Sequence, residues 1–142
     1  MSTVSSKEVS KIKGKQSIVF DNPPYIIGVS SIAGKKEGEG PLGNLIDTIH
    51  EDVLLGKNTW EEAESEFMKE AAEKALSKAG LVSEDIRYLL AGDLLGQLIA
   101  TSFGIMELRI PFFGLFGACS TIGEAMSIGA ILVDGGYADK VM

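Results

Sequence analysis

Cysteine, histidine and tryptophan each occur once in these 142 residues. A single thiol excludes a disulfide within the chain and fits a reducing compartment. One cysteine and one histidine also make no paired ligand set, so no metal site is expected. Positive charge is in the minority, with 13 Lys and Arg against 20 Asp and Glu and a net charge of −7. A surface of that sign repels phosphate backbones and gains nothing general from anionic lipid, so no nucleic-acid partner is expected. Lys7, Lys11, Lys13 and Lys15 cluster near the start, where they read as solvated positions. No run reaches the roughly 18 apolar residues of a membrane-spanning helix, and Glu124 breaks the best candidate. No apolar segment of secretory type opens the chain. Internal repeats and low-complexity tracts are missing too.

What is present suits one globular domain, with 45% hydrophobic and 23% charged residues. Residues 1–13 are expected to form a flexible N-terminal arm and 14–142 the domain. Ser17 to Phe20 reads as a short strand, Asp21 to Pro24 as a turn, and Tyr25 to Ile32 as a β-type run. The loop from Gly34 to Pro41 is rich in glycine but lacks phosphate-cradle spacing. Residues 42–55 are mixed, suggesting one or two helical turns. A helix over 60–79 is predicted by Trp60, Ala63, Phe67, Ala71, Ala75 and Ala79 at spacings of three and four. Thr59 and Glu62 supply its capping box, Gly80 its stop, and Trp60 reads as a core or staple residue. A buried strand over 86–91, a helix near 98–107, a strand over 112–116 and a helix over 120–134 follow. Ala138 to Met142 looks like the opening of another strand. Strands alternating with helices argue for an α/β fold with a largely parallel sheet. The chain stops as that last strand begins, so the expectation is the first half of something larger, with a broken reading frame and a non-functional fragment as an alternative.

Cys119 is the leading candidate site residue. It falls where the apolar run ending at Gly117 gives way to helix spacing. A side chain at such a strand-to-helix turn stands at the carboxyl edge of a sheet and at the positive end of a helix, which favours a thiolate. This is the geometry of a nucleophile elbow with cysteine in place of serine. A buried thiol that only packs is the competing reading. Thr121 and Glu124 spell a second capping box beside it, and such a cap would occupy the carboxylate. Asp93, after the strand over 86–91, either orients a ligand or caps the next helix. His50 reads as a lone surface histidine. A thiol nucleophile needs a base or oxyanion donors, and no histidine is placed to serve Cys119. Its partners lie outside this sequence, or it performs no covalent chemistry.

The elbow Gly117-Ala118-Cys119-Ser120-Thr121 with its small-residue helix resembles the thiolase superfamily, including the ketoacyl synthases. Further segments sharpen the likeness: Gly40-Pro41-Leu42-Gly43, Trp60-Glu61 after Asn58, Ala75-Leu76-Ser77-Lys78, Glu84-Asp85-Ile86, Leu90-Ala91-Gly92-Asp93-Leu94-Leu95, Ile110-Pro111-Phe112 and Leu132-Val133-Asp134-Gly135-Gly136. In this order, from about residue 14 to the end, they resemble the stage V sporulation protein AD family of spore-forming Firmicutes. The resemblance implies one half of a thiolase-like αβαβα fold. It also implies a part in binding dipicolinic acid and moving it into the developing spore. Implied partners are dipicolinic acid and other proteins of the same sporulation operon, and homo-oligomers are expected. The implied location is peripheral, on the cytoplasmic side of the spore inner membrane. Cys119 matches the family's pocket cysteine, and Asp93 is carried as a second ligand-binding candidate. The family's further pocket residues, including a histidine, belong to its second half. No cofactor is implied. The alternative is an acyltransferase using Cys119 as nucleophile on an acyl-CoA or acyl-carrier thioester. Glu124 so close to the thiol favours the binding role, since an unneutralised carboxylate raises a thiol's pKa.

Overall fold

The chain enters as a small antiparallel hairpin, β1 (Ile12–Lys13) against β2 (Ser17–Ile18), in a computed structural model that describes residues 11–142. The flexible-arm expectation for residues 1–10 lies outside the described residues, and residues 12 and 13 of that span form β1. The hairpin is tied to the far end of the chain. Asp134, whose side chain is 4% exposed, accepts from Lys11 Nζ at 2.5 Å and from the Asn22 N–H at 3.3 Å. The Lys11 hydrogen bond holds the Asp134 carboxyl below the usual range.

The run from Tyr25 to Ser31 carries no ladder. The strand β3 is Ile32–Gly34, and it pairs in parallel with β4 (Thr48–His50). Both differ from the sequence expectation, which put strand character before Ile32 and helical turns over 42–55. A single 3₁₀ turn, Gly43–Leu45, is all the helix in that stretch. The glycine-rich loop opens with one helical turn, α1 (Lys35–Gly38). Side chains set the register: the Ser31 N–H donates to Asp47 Oδ2, the Asp47 N–H returns to Ser31 Oγ, and Lys78 pairs with Asp47 at 2.7 Å.

The long helix α2 (Trp60–Ala79) begins and ends as its sequence signals dictate. The Glu62 N–H donates to Thr59 Oγ1, and the Glu62 carboxylate accepts from the Thr59 and Asn58 N–H groups. These bonds satisfy donors that a helix start leaves open. Gly80, at φ 67, takes the left-handed position, and the Leu81 N–H closes back to the Leu76 carbonyl. Trp60 is 56% exposed and is not a core residue, because its position at the first helical residue points outside the packed stripe.

Beyond α2 come β5 (Leu89–Ala91), α3 (Ile99–Ile105), β6 (Phe112–Gly114) and α4 (Thr121–Asp134). β5 and β6 are parallel, Leu89 facing Phe112 and Ala91 facing Gly114. On the other side of β5 the last residues run parallel as well: Val141 bridges Tyr88, and the Leu90 N–H bonds the Met142 carbonyl. The expected strand over 86–91 thus pairs with β6 only from Leu89. The strand over 112–116 ends at Gly114, with the Leu115 N–H still bonded to the Ala91 carbonyl. The core joins Leu76 of α2, Ile86, Leu89 of β5, Ile105 of α3, Leu108 and Ile110. The chain is α/β, with short parallel sheets flanked by helices, an arrangement consistent with one half of a thiolase-like fold. Among the described residues no helix is long and apolar enough to cross a membrane.

Candidate functional site

Parallel register brings the two leading sequence candidates to one edge. Because Ala91 faces Gly114, the segments 92–93 and 115–119 leave the carboxyl ends of β5 and β6 side by side. Gly92 is required there: a Cβ would stand 2.0 Å from the Leu115 carbonyl oxygen. After Gly117 the chain turns through a 3₁₀ turn, Ala118–Ser120, into the 14-residue α4. Cys119 sits in that turn with its thiol free and exposed, so the buried-packing reading does not hold. Ala118 has φ 47, a left-handed value that costs a non-glycine residue about 1–3 kcal/mol. Backbone strain immediately before the thiol is the signature expected of an elbow.

The neighbouring carboxylate is placed differently from the expectation. The second capping box does not form. Ser120 caps α4 without a side-chain bond, and Thr121 Oγ1 is buried with no partner among the described residues. The Glu124 carboxylate instead lies against the Ser120 hydroxyl, which also stands 2.8 Å from the Gly117 carbonyl. A hydroxyl has one proton, so it serves one of these acceptors at a time. The cluster fits only because residue 117 is glycine: a Cβ there would meet Glu124 Oε1 at 2.3 Å. Helix propensity and spacing alone could not show this, because the 3₁₀ turn at 118–120 shifts Thr121 from a capping position to the first helical one.

Asp93 is 7% exposed and has no free oxygen to offer a ligand. Oδ1 accepts from the Leu98 N–H at 3.0 Å. Oδ2 accepts from the Thr101 N–H at 2.8 Å and the Thr101 hydroxyl at 2.7 Å. Burial alone would raise its pKa, but the hydrogen bonds from Thr101, Leu98 and Gly96 outweigh burial and hold it below the ordinary value. Asp93 therefore positions the edge by fixing the loop that leads into α3. That loop is gripped a second time by Glu64 of α2, which accepts from the Leu94 and Leu95 N–H groups at 3.0 and 3.3 Å. Sequence reasoning missed Glu64, whose partners lie 30 residues away. Gln97 and Leu98, at φ 48 and 75, are held left-handed between these grips.

His50, expected as a lone surface histidine, closes β4 and is half-buried. Its sheet is not the one that leads to Cys119, and its Nε2 is 2.6 Å from Glu70 Oε2 with Phe67 edge-on at 5.6 Å. It is thus a hydrogen-bonded side chain of the β4–α2 packing. The hollow beside Cys119 is lined only by residues 119–128, among them Ile122, Gly123 and Ser127. It is a one-walled surface of α4. No cluster of His, Cys, Asp and Glu among the described residues could hold a metal ion.

The family model described as stage V sporulation protein AD matches residues 14–142. The chain is 41% identical over 132 residues to stage V sporulation protein AD of Bacillus subtilis (strain 168), a match that takes in 93% of this chain. It spans 39% of that relative's length.

Proposed function

Because the chain belongs to the stage V sporulation protein AD family, we propose that it serves spore formation by helping to bind dipicolinic acid and move it into the developing spore. The single observation that carries the reading is the exposed Cys119 at the strained β6–α4 turn, standing at a helix start without a histidine beside it. Such a turn offers one wall of an anion pocket. A planar dianion needs several converging donors in a closed site, whereas a solvated helix terminus contributes only about 0.3–1 kcal/mol. Further walls have to come from another segment or molecule. Other proteins of the same sporulation operon are the proposed partners, at the cytoplasmic face of the spore inner membrane. Self-association is part of the proposal, since Phe113 and Phe116 stand 47% and 72% exposed along and beyond β6.

Calorimetric titration tests it. Dipicolinate added to residues 1–142 alone is expected to give no saturable heat. Adding the rest of the relative's sequence, in cis or in trans, restores binding, and Cys119→Ala weakens it. Micromolar binding by this chain alone would overturn the one-wall reading.

The exposure of the thiol supports one second reading, acyl transfer. The Cys119 thiolate would attack a thioester carbonyl, form a new acyl–sulfur bond and release the carrier thiol, which takes up the proton. Mass spectrometry after incubation with an acyl-CoA decides it: an acyl adduct that Cys119→Ser abolishes supports transfer, and an unmodified chain leaves the binding role.

A further inference from the structure

The amino ends of the same strands frame a second cavity, of about 690 Å³, at the end of the sheet opposite Cys119. Ligand pockets run from about 300 to 1,000 Å³. Its apolar floor includes Ile86 and Leu108, and each of the three parallel segments enters past a cation: Arg87 before β5, Arg109 before β6, and Lys140 before the Val141 bridge. Arg87 and Arg109 are the only arginines in the chain. Lys11, Lys35, Lys57, Lys69 and Lys78 each have a carboxylate within ion-pair distance. Among the described residues, neither arginine nor Lys140 has one; Lys13, Lys15, Lys36 and Lys74 also lack one, but none of these lines the cavity. In a protein of net charge −7, three cations without a carboxylate partner around one cavity form a concentration that solubility does not require.

Two local features argue that the arginines are held for use. The Arg87 guanidinium lies 5.5 Å from the centroid of the Tyr88 ring. Such a cation–π contact uses none of the guanidinium's N–H groups as hydrogen-bond donors to a carboxylate, so they stay available to a ligand. Arg109 closes the 3₁₀ turn Met106–Leu108 at φ 55, a left-handed position where glycine would carry no strain. The cavity also holds carboxylates. Asp85 is committed to the Val82 N–H at 3.0 Å, while Glu84 and Asp139 remain on the rim. Their repulsion disfavours an extended polyanion and leaves room for one compact group.

We propose that this strand-entry cavity is an oxyanion site, in which Arg87 and Arg109 with Lys140 receive the phosphate or carboxylate group of a small ligand. Guanidinium forks match both groups, and the site is independent of the dipicolinate reading at Cys119. The test is an NMR titration of the ¹⁵N-labelled chain with inorganic phosphate and, separately, with succinate, at constant low ionic strength. Saturable shifts are expected at Arg87, Tyr88, Arg109 and 137–140, and not at 119–124. The stronger of the two probes identifies the preferred group. Arg87→Gln with Arg109→Gln should weaken binding about tenfold or more. Lys69→Gln, which removes a cation already paired with Glu107, should leave it unchanged. Both arginines are exposed, so the double variant is expected to fold, and its dispersed spectrum verifies this. Shifts spread evenly over the surface, no saturation with either anion, or equal binding by the double variant would each overturn the proposal.

Discussion

Leu89 on β5 and Ile122 on α4 are comparable apolar side chains in neighbouring elements, yet Leu89 is 2% exposed and Ile122 68%. The contrast extends to their surroundings. Around β5, residues from α2, α3 and the turns close over Leu89 on every side. Along α4, Met126, Ile128 and Ile131 are 55%, 38% and 41% exposed, and Gly129 is the only buried residue of the helix. Apolar sequence creates a demand for burial, and the β5 region meets it within the chain while α4 does not. A contiguous face of that kind is characteristic of a surface that meets another.

The strongest test of the contrast is deletion of a core side chain. Leu89→Ala should lower the unfolding free energy by about 2–5 kcal/mol, because the surrounding helices relax only partly into the space. Urea unfolding followed by far-UV circular dichroism measures it. A loss below about 1 kcal/mol would mean that the β5 region is as loosely packed as α4.

A smaller effect is expected where the packed region meets the site edge. Asp93→Asn replaces one acceptor oxygen with a donor that faces N–H and O–H groups, and should cost about 1.5–3 kcal/mol. The folded pKa of Asp93 lies below its unfolded value, so its contribution is fully present above the unfolded carboxylate pKa of about 3.9. That stability is lost as pH falls through the depressed folded pKa. The native chain should therefore weaken below about pH 4, and the Asn variant should show a flatter acid limb. Equal acid limbs in the two proteins would remove Asp93 as the anchor of the 94–98 loop.

How far each feature could be read from sequence follows from how local its cause is. The α2 boundaries rest on Thr59, Glu62 and Gly80, whose partners lie within five residues, and they form as read. The turn carrying Cys119 rests on an equally local switch from an apolar run to helix spacing, and α4 begins at Thr121. β4 escaped notice because a three-residue strand has no period; it exists through its pairing with β3 and the Asp47 bonds. The Glu124–Ser120–Gly117 cluster was hidden for a different reason. Both the Thr-x-x-Glu pattern and the observed contact use the same residues, and only the 3₁₀ turn before them decides between the two.

The smallest expected effect falls on the open side. Ile122→Ser removes a large apolar side chain, a change that in a core costs several kcal/mol. At 68% exposure it leaves few contacts behind, and serine's lower helix propensity costs only a few tenths of a kcal/mol. The unfolding free energy of this chain should therefore move by no more than about 0.5 kcal/mol. Any self-association through the α4 face should weaken, because the substitution exchanges an apolar contact for a hydroxyl that must be desolvated. Sedimentation velocity of the wild-type and variant chains at matched concentration reads the second quantity, and urea unfolding reads the first. A large loss of stability in a chain that sediments as a monomer would show that Ile122 is packed within the chain, and the difference between the two regions would then disappear.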